Sequence, residues 1–525
     1  MTDGIDFLAR GMEAHGQNRA VDAARHYRAH LAQYPDAGGA WSALGTLYQM
    51  KAGDAASALT HYRHALASLP DDPAVWLHLG SALAEMDRPL EAIEPLRKAV
   101  AGVGDKYAYS ELACAYMRLN RLSDAQAVAD RYRREQPDHF FAHYLSAWIA
   151  AARGNLNEGL RHVSDALLFD RFWPMPYGLR TLLLWRLGRL EESRLSLQEM
   201  VFVNSDRISA QWETEKLLET GRLWRRVRDE AKKALDVEDI EPVNFLFMTG
   251  GMGDQYFVAA LLSAFKRHNP SRRLVAFSDS KAKWETLFPD GADLFLHLPS
   301  DDIHSFLGLS RFFPDHPYIP WFPWMGPMSS LISPRQGSRF MLGLPEGVQG
   351  AKPVPPPDVV RRSEELFHRL GGIPGRSVLV APISNSNPGA SDGWWTQLVA
   401  ALRAAGFVVF QNVANMLNPT LGTLLEGAIP VEMPLEQAIP FCELAGHFIG
   451  VRSGLCDLLG TARLKKKAVH VRKRYARNEH YPMAVWNDYE SGFSLRRAFE
   501  SDRWTDIDLA AHGEFDPALI EDWIS

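Results

Sequence analysis

The sequence predicts an α-helical solenoid followed by an α/β region that contains two units built on parallel sheets. Two observations support this division. Small and aromatic residues recur with a period of about 35 residues in the first part of the chain, and short apolar runs alternate with amphipathic segments after residue 242. A stiff proline-rich stretch at 354–357 divides the second part. The predicted regions are a solenoid over 1–208, a linking helix over 209–240, a first α/β unit over 241–350, and a second α/β unit with C-terminal helices over 351–525.

The composition is that of an ordinary globular protein. A chain of 525 residues is too long for one hydrophobic core, so two or three domains are expected. The net charge of -6 argues against a nucleic-acid-binding protein. Three cysteines are too few for a disulfide framework or a zinc site, which favours a reducing compartment such as the cytoplasm. We expect neither a signal peptide nor a membrane span, because apolar runs of the required length and position are missing.

The repeated pattern places small, aromatic and proline residues at fixed positions. Small residues let the two helices of a hairpin touch, large residues fill the gap to the next hairpin, and prolines end the second helix. The four clearest copies contain Gly11, Ala23, Tyr27 and Pro35; Trp41, Leu44, Gly45, Tyr48, Ala58, Tyr62, Ala65 and Pro70; Trp76, Leu79, Gly80, Leu83, Ala92, Leu96 and Ala99; and Tyr109, Leu112, Ala113, Tyr116, Ala125 and Pro137.

This pattern resembles the tetratricopeptide repeat. The resemblance implies a stack of helical hairpins with a concave groove. Two interpretations of that groove stay open. In the first it holds a protein partner or a protein acceptor. In the second the solenoid only scaffolds the chain or pairs it with another copy as a homo-oligomer.

The second half of the chain alternates predicted strands and helices, which indicates parallel sheets with crossover helices. Ligands bind at the carboxyl ends of such strands. The predicted strands are 243–248, 273–277, 293–298, 377–382, 407–411, 447–451 and 468–472, and the predicted helices are 255–268, 281–288, 394–404, 435–444 and 454–462. Helical segments are also expected in the tail between 494 and 523.

A glycine-rich loop, Gly250-Gly251-Met252-Gly253-Asp254, lies between the first predicted strand and the helix that follows. Its glycines let the backbone approach a ligand closely and leave the N–H groups of the helix start available. The loop lacks the dinucleotide and P-loop fingerprints. Asp254 is either an N-terminal helix cap or a general base that takes a proton from an acceptor hydroxyl. Spacing alone favours the cap.

A second turn, Arg452-Ser453-Gly454, follows a predicted strand and opens a helix. A helix N-terminus carries partial positive charge, Ser453 adds a hydroxyl, and Arg452 could bind phosphate oxygens. The alternative is an ordinary turn with a surface arginine.

Polar residues also follow two other predicted strands. Ser384 and Asn385 either line the phosphates of a ligand or form a solvated turn. Asn412 ends the next predicted strand, where its side chain can face the cleft.

The order of these motifs resembles that of the heptosyltransferase-like glycosyltransferases of bacteria, which have the GT-B fold of two Rossmann-type domains. The match covers Gly251-x-Gly253-Asp254, Ala381-Pro382, the helix that starts at Trp394, and the turn at Arg452-Ser453-Gly454. The chain departs from the family at Arg452, where the family has an acid. That departure leaves the donor nucleotide open.

The resemblance implies an inverting glycosyltransferase that needs no metal and no cofactor and uses a nucleotide sugar as co-substrate. Asp254 would then be the catalytic base, and the attached solenoid suggests a protein acceptor. The alternative is an inactive protein-binding scaffold that retains a nucleotide-sugar site. The residues expected to bind the donor are Gly251, Gly253, Ser384, Asn385, Asn412, Arg452, Ser453 and Gly454.

Three further features lie outside this set. Aromatic residues between 306 and 334 are expected at the rim of the cleft. The run Lys465-Lys466-Lys467 predicts a solvated turn ahead of a strand, with phosphate contact as the alternative. His297 and His304 have no partner at metal-ligand spacing, so we expect no metal site.

Overall fold

The structure is a computed structural model, and it describes residues 6–52, 54–86, 88–102, 104, 106–210, 213–238, 243–308, 333–384, 390–413, 424–471, 473–475, 485–487, 495, 499, 504–509 and 515–524. The chain divides into two compact units. The first unit is Met1–Arg171 with Arg474–Val485, and the second is Phe172–Lys473 with Trp486–Ser525. Across the described residues, none of the helices combines the length and apolar character that crossing a bilayer requires.

The first unit consists of consecutive helices that pack in pairs, as the repeat pattern predicts. A short π-helical turn, Tyr48–Ala52, follows the third helix. The helices are α1 (Phe7–Gly16), α2 (Ala20–Gln33), α3 (Gly38–Leu47), α4 (Ala55–Ser68), α5 (Pro73–Glu85), α6 (Pro89–Gly102), α7 (Lys106–Arg118), α8 (Leu122–Glu135), α9 (Phe140–Ala152) and α10 (Leu156–Phe169).

The small residues of the repeat lie where two helices of a hairpin touch. A Cβ atom at Gly45 of α3 would lie 2.6 Å from the Tyr62 ring of α4, and one at Gly80 would lie 2.6 Å from Leu96. Tyr62 is fully buried, so its ring has no room to move aside. The 35-residue period of small residues therefore reflects a steric limit on side-chain size at this contact, which at Gly45 and Gly80 only glycine meets.

The tryptophans that open the second and third copies of the repeat each anchor the turn before them. The indole Nε1 of Trp41 donates to the carbonyl of Pro35 at 2.7 Å, and that of Trp76 donates to Pro70 at 2.8 Å. Both proline carbonyls lie in the turn between two hairpins. These bonds fix how one hairpin enters the next, which explains why tryptophan and proline recur together.

The second unit begins with three helices that belong to the α/β region by contact. They are α11 (Pro174–Arg186), α12 (Leu190–Ser209) and α13 (Thr214–Leu235). Trp185 of α11 donates from its indole Nε1 to the carbonyl of Leu344 at 2.6 Å. Trp224 of α13 packs its ring 5.2 Å from that of Phe245 in the first strand. The predicted linking helix is thus part of the core of the sheet.

A three-stranded parallel sheet follows, in the order β1-β2-β3. Alternate residues of β1 serve opposite faces: Phe245 and Phe247 pack with α13, and Leu246 packs with the helices on the other side. Burial on both faces is typical of parallel sheets. The elements are β1 (Val243–Phe247), α14 (Met252–Ala259), α15 (Leu262–His268), β2 (Arg273–Ser278), α16 (Lys281–Leu287), β3 (Leu294–His297), α17 (Ser300–Leu307) and α18 (Pro334–Met341).

A six-stranded parallel sheet completes the unit, in the order β6-β5-β4-β7-β8-β11. This is the doubly wound order of a Rossmann sheet. The elements are α19 (Pro357–Arg369), β4 (Ser377–Ala381), α20 (Asp392–Ala404), β5 (Val408–Asn412), β6 (Ile429–Val431), α21 (Leu435–Ala445), β7 (Gly446–Val451), α22 (Gly454–Leu458), β8 (Lys465–Val471), β11 (Trp504–Leu509) and α23 (Glu521–Ile524), with β9 (Lys473–Tyr475) and β10 (Val485–Asn487) as a separate two-stranded sheet.

The tail contains helical segments as predicted, at Pro517–Ile520 and in α23, and it also contains the unpredicted strand β11, which joins the six-stranded sheet beside β8. Two other predictions about the second half were wrong. The lysine run is not a solvated turn but the start of β8, where the ammonium of Lys466 is buried and donates to the carbonyls of Leu459, Gly460 and Ala462. Phe306 is core rather than rim, and residues 309–332 lie outside the described residues.

The hairpin contact at Gly45 gives a stability test. Gly45→Ala should lower the free energy of unfolding by about 1–3 kcal/mol, because the added methyl overlaps the buried Tyr62 ring. Gly39→Ala on the same helix is the matched control, since nothing lies within 4 Å of its Cβ position. The control should leave stability unchanged or raise it by up to about 1 kcal/mol. Equal losses in urea unfolding of both variants would contradict the packing argument.

Candidate functional site

The candidate site lies at the carboxyl ends of both parallel sheets. β1 ends at Phe247 and leads through the glycine-rich loop into α14. β7 ends at Val451 and leads through the second turn into α22. In the six-stranded sheet the chain departs from β4 in opposite directions, so the switch point lies between β4 and β7. Switch points of this kind are where such sheets bind ligands.

The two glycine turns are in direct contact. A Cβ atom at Gly454 would lie 2.8 Å from the backbone nitrogen of Gly253, and one at Gly253 would lie 2.1 Å from Oδ2 of Asp457. Neither position has room for a side chain. The structure therefore brings together the starts of α14 and α22, which the sequence places about two hundred residues apart.

Asp254 is the third residue of α14, and Gly251 is the residue at the N-cap position. Oδ2 of Asp254 accepts a hydrogen bond from the backbone N–H of Gly251 at 3.0 Å. Gly250 has φ +86, a conformation that favours glycine. Asp254 therefore contributes to the capping of the helix from its first turn rather than as the N-cap residue that was predicted, and its role as a base stays a prediction.

The environment of Asp254 favours its protonated form. Burial and the nearby carboxylate of Asp457 raise the pKa of Asp254 to about 6, although the Gly251 N–H and the charge of Arg452 oppose the rise. A carboxyl with this pKa is ionised at neutral pH and can still accept a proton readily. Perturbed carboxyls of this kind are common at functional sites, although structural clusters also produce them.

A buried ion pair lies beneath the two turns. Nη1 of Arg452 donates to Oδ2 of Asp457 at 2.8 Å and to the Ser453 carbonyl at 2.9 Å. Arg452 is 6% exposed and Asp457 2% exposed. Burial raises the pKa of Asp457, and the guanidinium of Arg452 opposes that rise. These contacts hold Arg452 inside the turn, whereas the sequence analysis expected its guanidinium to face phosphate oxygens.

The other predicted donor residues lie along the same edge. Ser453 precedes α22 and is half-buried, with its hydroxyl 3.8 Å from the Cys456 sulfur. Ser384 follows β4, directly at the switch point. Asn412 ends β5, one strand further along the sheet. Asn385 lies outside the described residues.

Two side chains of the site were missed by the sequence analysis. Asp457 lies three residues beyond the turn Arg452-Ser453-Gly454, and its pairing with Arg452 depends on the geometry of α22. Gln255 fixes the glycine-rich loop, because its Nε2 donates to the Gly250 carbonyl at 3.2 Å while its Oε1 accepts from Ser278 and Trp284. A buried polar residue in the first turn of a helix is the signal that could have identified Gln255.

One group of side chains among the described residues could hold a metal ion, and it lies in the first unit rather than at these turns. It consists of His143, His162 and Asp165. No metal site was predicted from the sequence, where only His297 and His304 were considered. His143 and His162 lie on the neighbouring helices α9 and α10, so no short motif contains both.

Comparison with known proteins identifies the helical repeats. Residues 47–109 and 110–174 match the tetratricopeptide repeat family. The first unit therefore contains tetratricopeptide repeats, which suggest binding of a protein partner. A search of curated proteins found no match.

Solved structures of similar helical proteins match about a third of the chain. MamA is 20% identical, with 31% of this chain and 90% of MamA covered at a TM-score of 0.29. YrrB, described as a TPR protein with an unusual peptide-binding site, is 20% identical, with 32% of this chain and 87% of YrrB covered at a TM-score of 0.28. PilF of Pseudomonas aeruginosa is 18% identical, with 37% of this chain and 87% of PilF covered at a TM-score of 0.32. At such low scores only the family match supports the repeats.

Gly253 provides a test of the contact between the turns. Gly253→Ala should lower the free energy of unfolding by about 1–3 kcal/mol, because its methyl would meet the carboxylate that Arg452 holds in place. Gly251→Ala is the control, since its Cβ would lie 3.6 Å from Asp254, an ordinary contact. The control should lose no more than about 1 kcal/mol in urea unfolding. A loss in Gly251→Ala as large as in Gly253→Ala would refute the contact.

The raised pKa of Asp254 also predicts a pH-dependent stability. The folded carboxyl binds its proton more tightly than the unfolded one, so its contribution to the free energy of unfolding falls as the pH rises from about 4 to about 6. Asp254→Asn removes the destabilisation that comes from ionising this carboxyl. As the pH rises from 4 to 8, the free energy of unfolding of the variant should increase by up to about 3 kcal/mol relative to that of the wild type, as measured by urea unfolding.

Asp279→Asn is the control, and its stability relative to wild type should change with pH in the opposite direction. Burial favours the neutral form of Asp279, but hydrogen bonds from Ser300 and Gln255 outweigh it and hold the pKa below its ordinary value. That variant should lose stability relative to wild type as the pH rises. The same pH trend in both variants would show that Asp254 is not destabilised by its surroundings.

Proposed function

We propose that the second unit is a GT-B glycosyltransferase, which moves a sugar from a nucleotide-sugar donor to an acceptor hydroxyl. The observation that supports this proposal is the meeting of two glycine turns at the carboxyl ends of two parallel sheets. One turn carries a carboxyl with a pKa of about 6, and the other opens a helix at a Rossmann switch point. A proton acceptor and an anion-binding turn side by side suit a reaction that expels a diphosphate.

In the proposed reaction Asp254 takes the proton of the acceptor hydroxyl. The acceptor oxygen forms a bond to the anomeric carbon while the bond from that carbon to the diphosphate oxygen breaks. The departing diphosphate gains negative charge, which the Ser453 hydroxyl and the amides of both helix starts would stabilise. The displacement is inverting, and neither a metal nor a cofactor takes part.

The ion pair gives Arg452 a positioning role rather than the phosphate-binding role that the sequence suggested. Its guanidinium positions Asp457 and the Ser453 carbonyl, which fixes the turn that would hold the donor. Asp457 in turn raises the pKa of Asp254 by charge repulsion. Direct contact between Arg452 and a phosphate remains a proposal.

The tetratricopeptide repeats support a protein as the acceptor or partner. Repeats of this family present a groove to other proteins, and residues 47–174 contain them. We place the reaction in the cytoplasm because Cys114, Cys442 and Cys456 are buried thiols that form no disulfide bond, which suits a reducing compartment. The second candidate function is a scaffold that binds a nucleotide sugar without turnover. The helix cap made by Asp254 favours it, because that bond gives the carboxyl a purely structural role.

The experiment that tests the proposal uses the full chain and a panel of UDP-, GDP-, ADP- and CMP-sugars. Calorimetry measures donor binding, and nucleotide release measures turnover. One donor should bind and turn over. Asp254→Asn should reduce the turnover rate by about 10²–10⁴-fold with donor affinity unchanged, since a general base contributes about that much.

Asp301→Asn is the matched control. This exposed carboxylate at the start of α17 lies outside the proposed machinery and should leave turnover unchanged. Binding without turnover in the wild type would favour the scaffold. A panel with neither binding nor turnover would refute both candidates for the α/β unit.

A further inference from the structure

Three side chains of the helical repeats converge between α9 and α10. Nδ1 of His143 lies 3.8 Å from Oδ2 of Asp165, and Nδ1 of His162 lies 3.9 Å from the same oxygen. The three ligand atoms all lie within 4.8 Å of one another. Two imidazoles and a carboxylate are ligands that zinc and related divalent metals prefer.

The repeat itself indicates which nitrogen of His143 carries the proton. Nε2 of His143 lies 2.7 Å from the carbonyl of Pro137. In two earlier repeats the same bond joins an indole Nε1–H to the proline six residues before it: Trp41 to Pro35 and Trp76 to Pro70. A carbonyl can only accept, so Nε2 of His143 is the donor. Its Nδ1 therefore presents a lone pair.

That lone pair points into the cluster. Nδ1 of His143 is buried and has no hydrogen-bond partner among the described residues. A histidine that donates its other N–H to a backbone carbonyl has the arrangement usual for metal ligands, because that bond fixes the ring and its tautomer. The ring also stacks on Phe169 at a centroid distance of 5.2 Å, which restrains its orientation further.

The carboxylate occupies a position that carries a cation in an earlier repeat. Asp165 follows His143 at the same interval as Lys98 follows Trp76. The Lys98 ammonium lies 4.0 Å from the centre of the Trp76 ring. In the later repeat His143 stands at the position of Trp76, and Asp165 stands at the position of Lys98. A contact between a ring and a cation is thus replaced by two side chains that can both donate electron pairs to a metal ion.

His162 completes the set. Its side chain is buried, with 3% of its surface exposed. Its Nε2 lies 3.8 Å from Glu158 and its Nδ1 lies 3.4 Å from Nη1 of Arg133. Arg133 also binds Asp130 at 2.6 Å, so its guanidinium can stay paired when it withdraws from the ring.

We propose that His143, His162 and Asp165 form a binding site for a divalent transition metal ion of the zinc class. Tetrahedral zinc with ligands at about 2.0–2.1 Å separates its donor atoms by about 3.3 Å. The two histidine–carboxylate distances therefore need to close by about half an ångström, and the two histidine nitrogens, which lie within 4.8 Å of each other, by at most about 1.5 Å. Arg133 is the competing cation and moves aside. Three protein ligands leave a fourth position, which the partly exposed Asp165 places towards solvent.

The test titrates Zn²⁺ alone into the metal-free full chain by calorimetry. The wild type should show one site that His143→Gln and Asp165→Asn each weaken by at least about tenfold, the lower end of what loss of a supporting contact alone causes. His304→Gln, which changes an exposed histidine outside the cluster, should leave the affinity unchanged. Arg133→Gln should tighten binding several-fold, because it removes the competing charge.

The outcomes separate this site from adventitious binding. Circular dichroism checks that each variant is folded, and the exposed position of Asp165 makes Asp165→Asn the least disruptive change. No Zn²⁺ binding by the wild type, or equal affinity in wild type, His143→Gln and Asp165→Asn, would overturn the proposal. Weaker binding in Arg133→Gln would also count against it, since the guanidinium would then support the site.

Discussion

The candidate site depends on the close approach of Gly253 and Gly454 above a buried ion pair. Burial of Arg452 and Asp457 carries a desolvation cost, and the hydrogen bonds of the guanidinium to the carboxylate and to the Ser453 carbonyl offset part of it. The same carboxylate raises the pKa of Asp254. The ion pair thus fixes the backbone of the second turn and places a carboxylate against Gly253, and that carboxylate adds to the larger rise that burial causes in the pKa of Asp254.

Much of the fold could be predicted because its physical causes are local. The repeat period follows from steric contacts such as Gly45 with Tyr62, and strands buried on both faces, such as β1 and β4, appear as continuous apolar runs. β11 was missed because it carries acids, one of which, Asp506, is half-buried and lies 2.8 Å from His470. The lysine run was misjudged because burial of Lys466 depends on three carbonyls that only the folded turn brings together.

The sequence indicated which loops form the candidate site, but not which side chains pair within it. Glycines between a strand and a helix indicate where backbone approaches closely, and the structure brings Gly253 and Gly454 together. The partner of Arg452 could not be predicted, because an arginine beside a helix start suits a phosphate as well as an internal acid. The cluster around His143 was also out of reach, since its members lie on two helices whose pairing only the repeat fold determines.

The contacts of α11 and α13 determine where this chain could be divided. Trp224 fills one face of the three-stranded sheet, and Trp185 holds the segment around Leu344. A fragment that starts at β1 would leave Phe245 and Phe247 open to water and would be prone to aggregate. The alternation of strands and helices begins at about residue 242, but the compact α/β unit already starts before α11. Recombination that exchanges this unit for another would therefore have to carry these helices along.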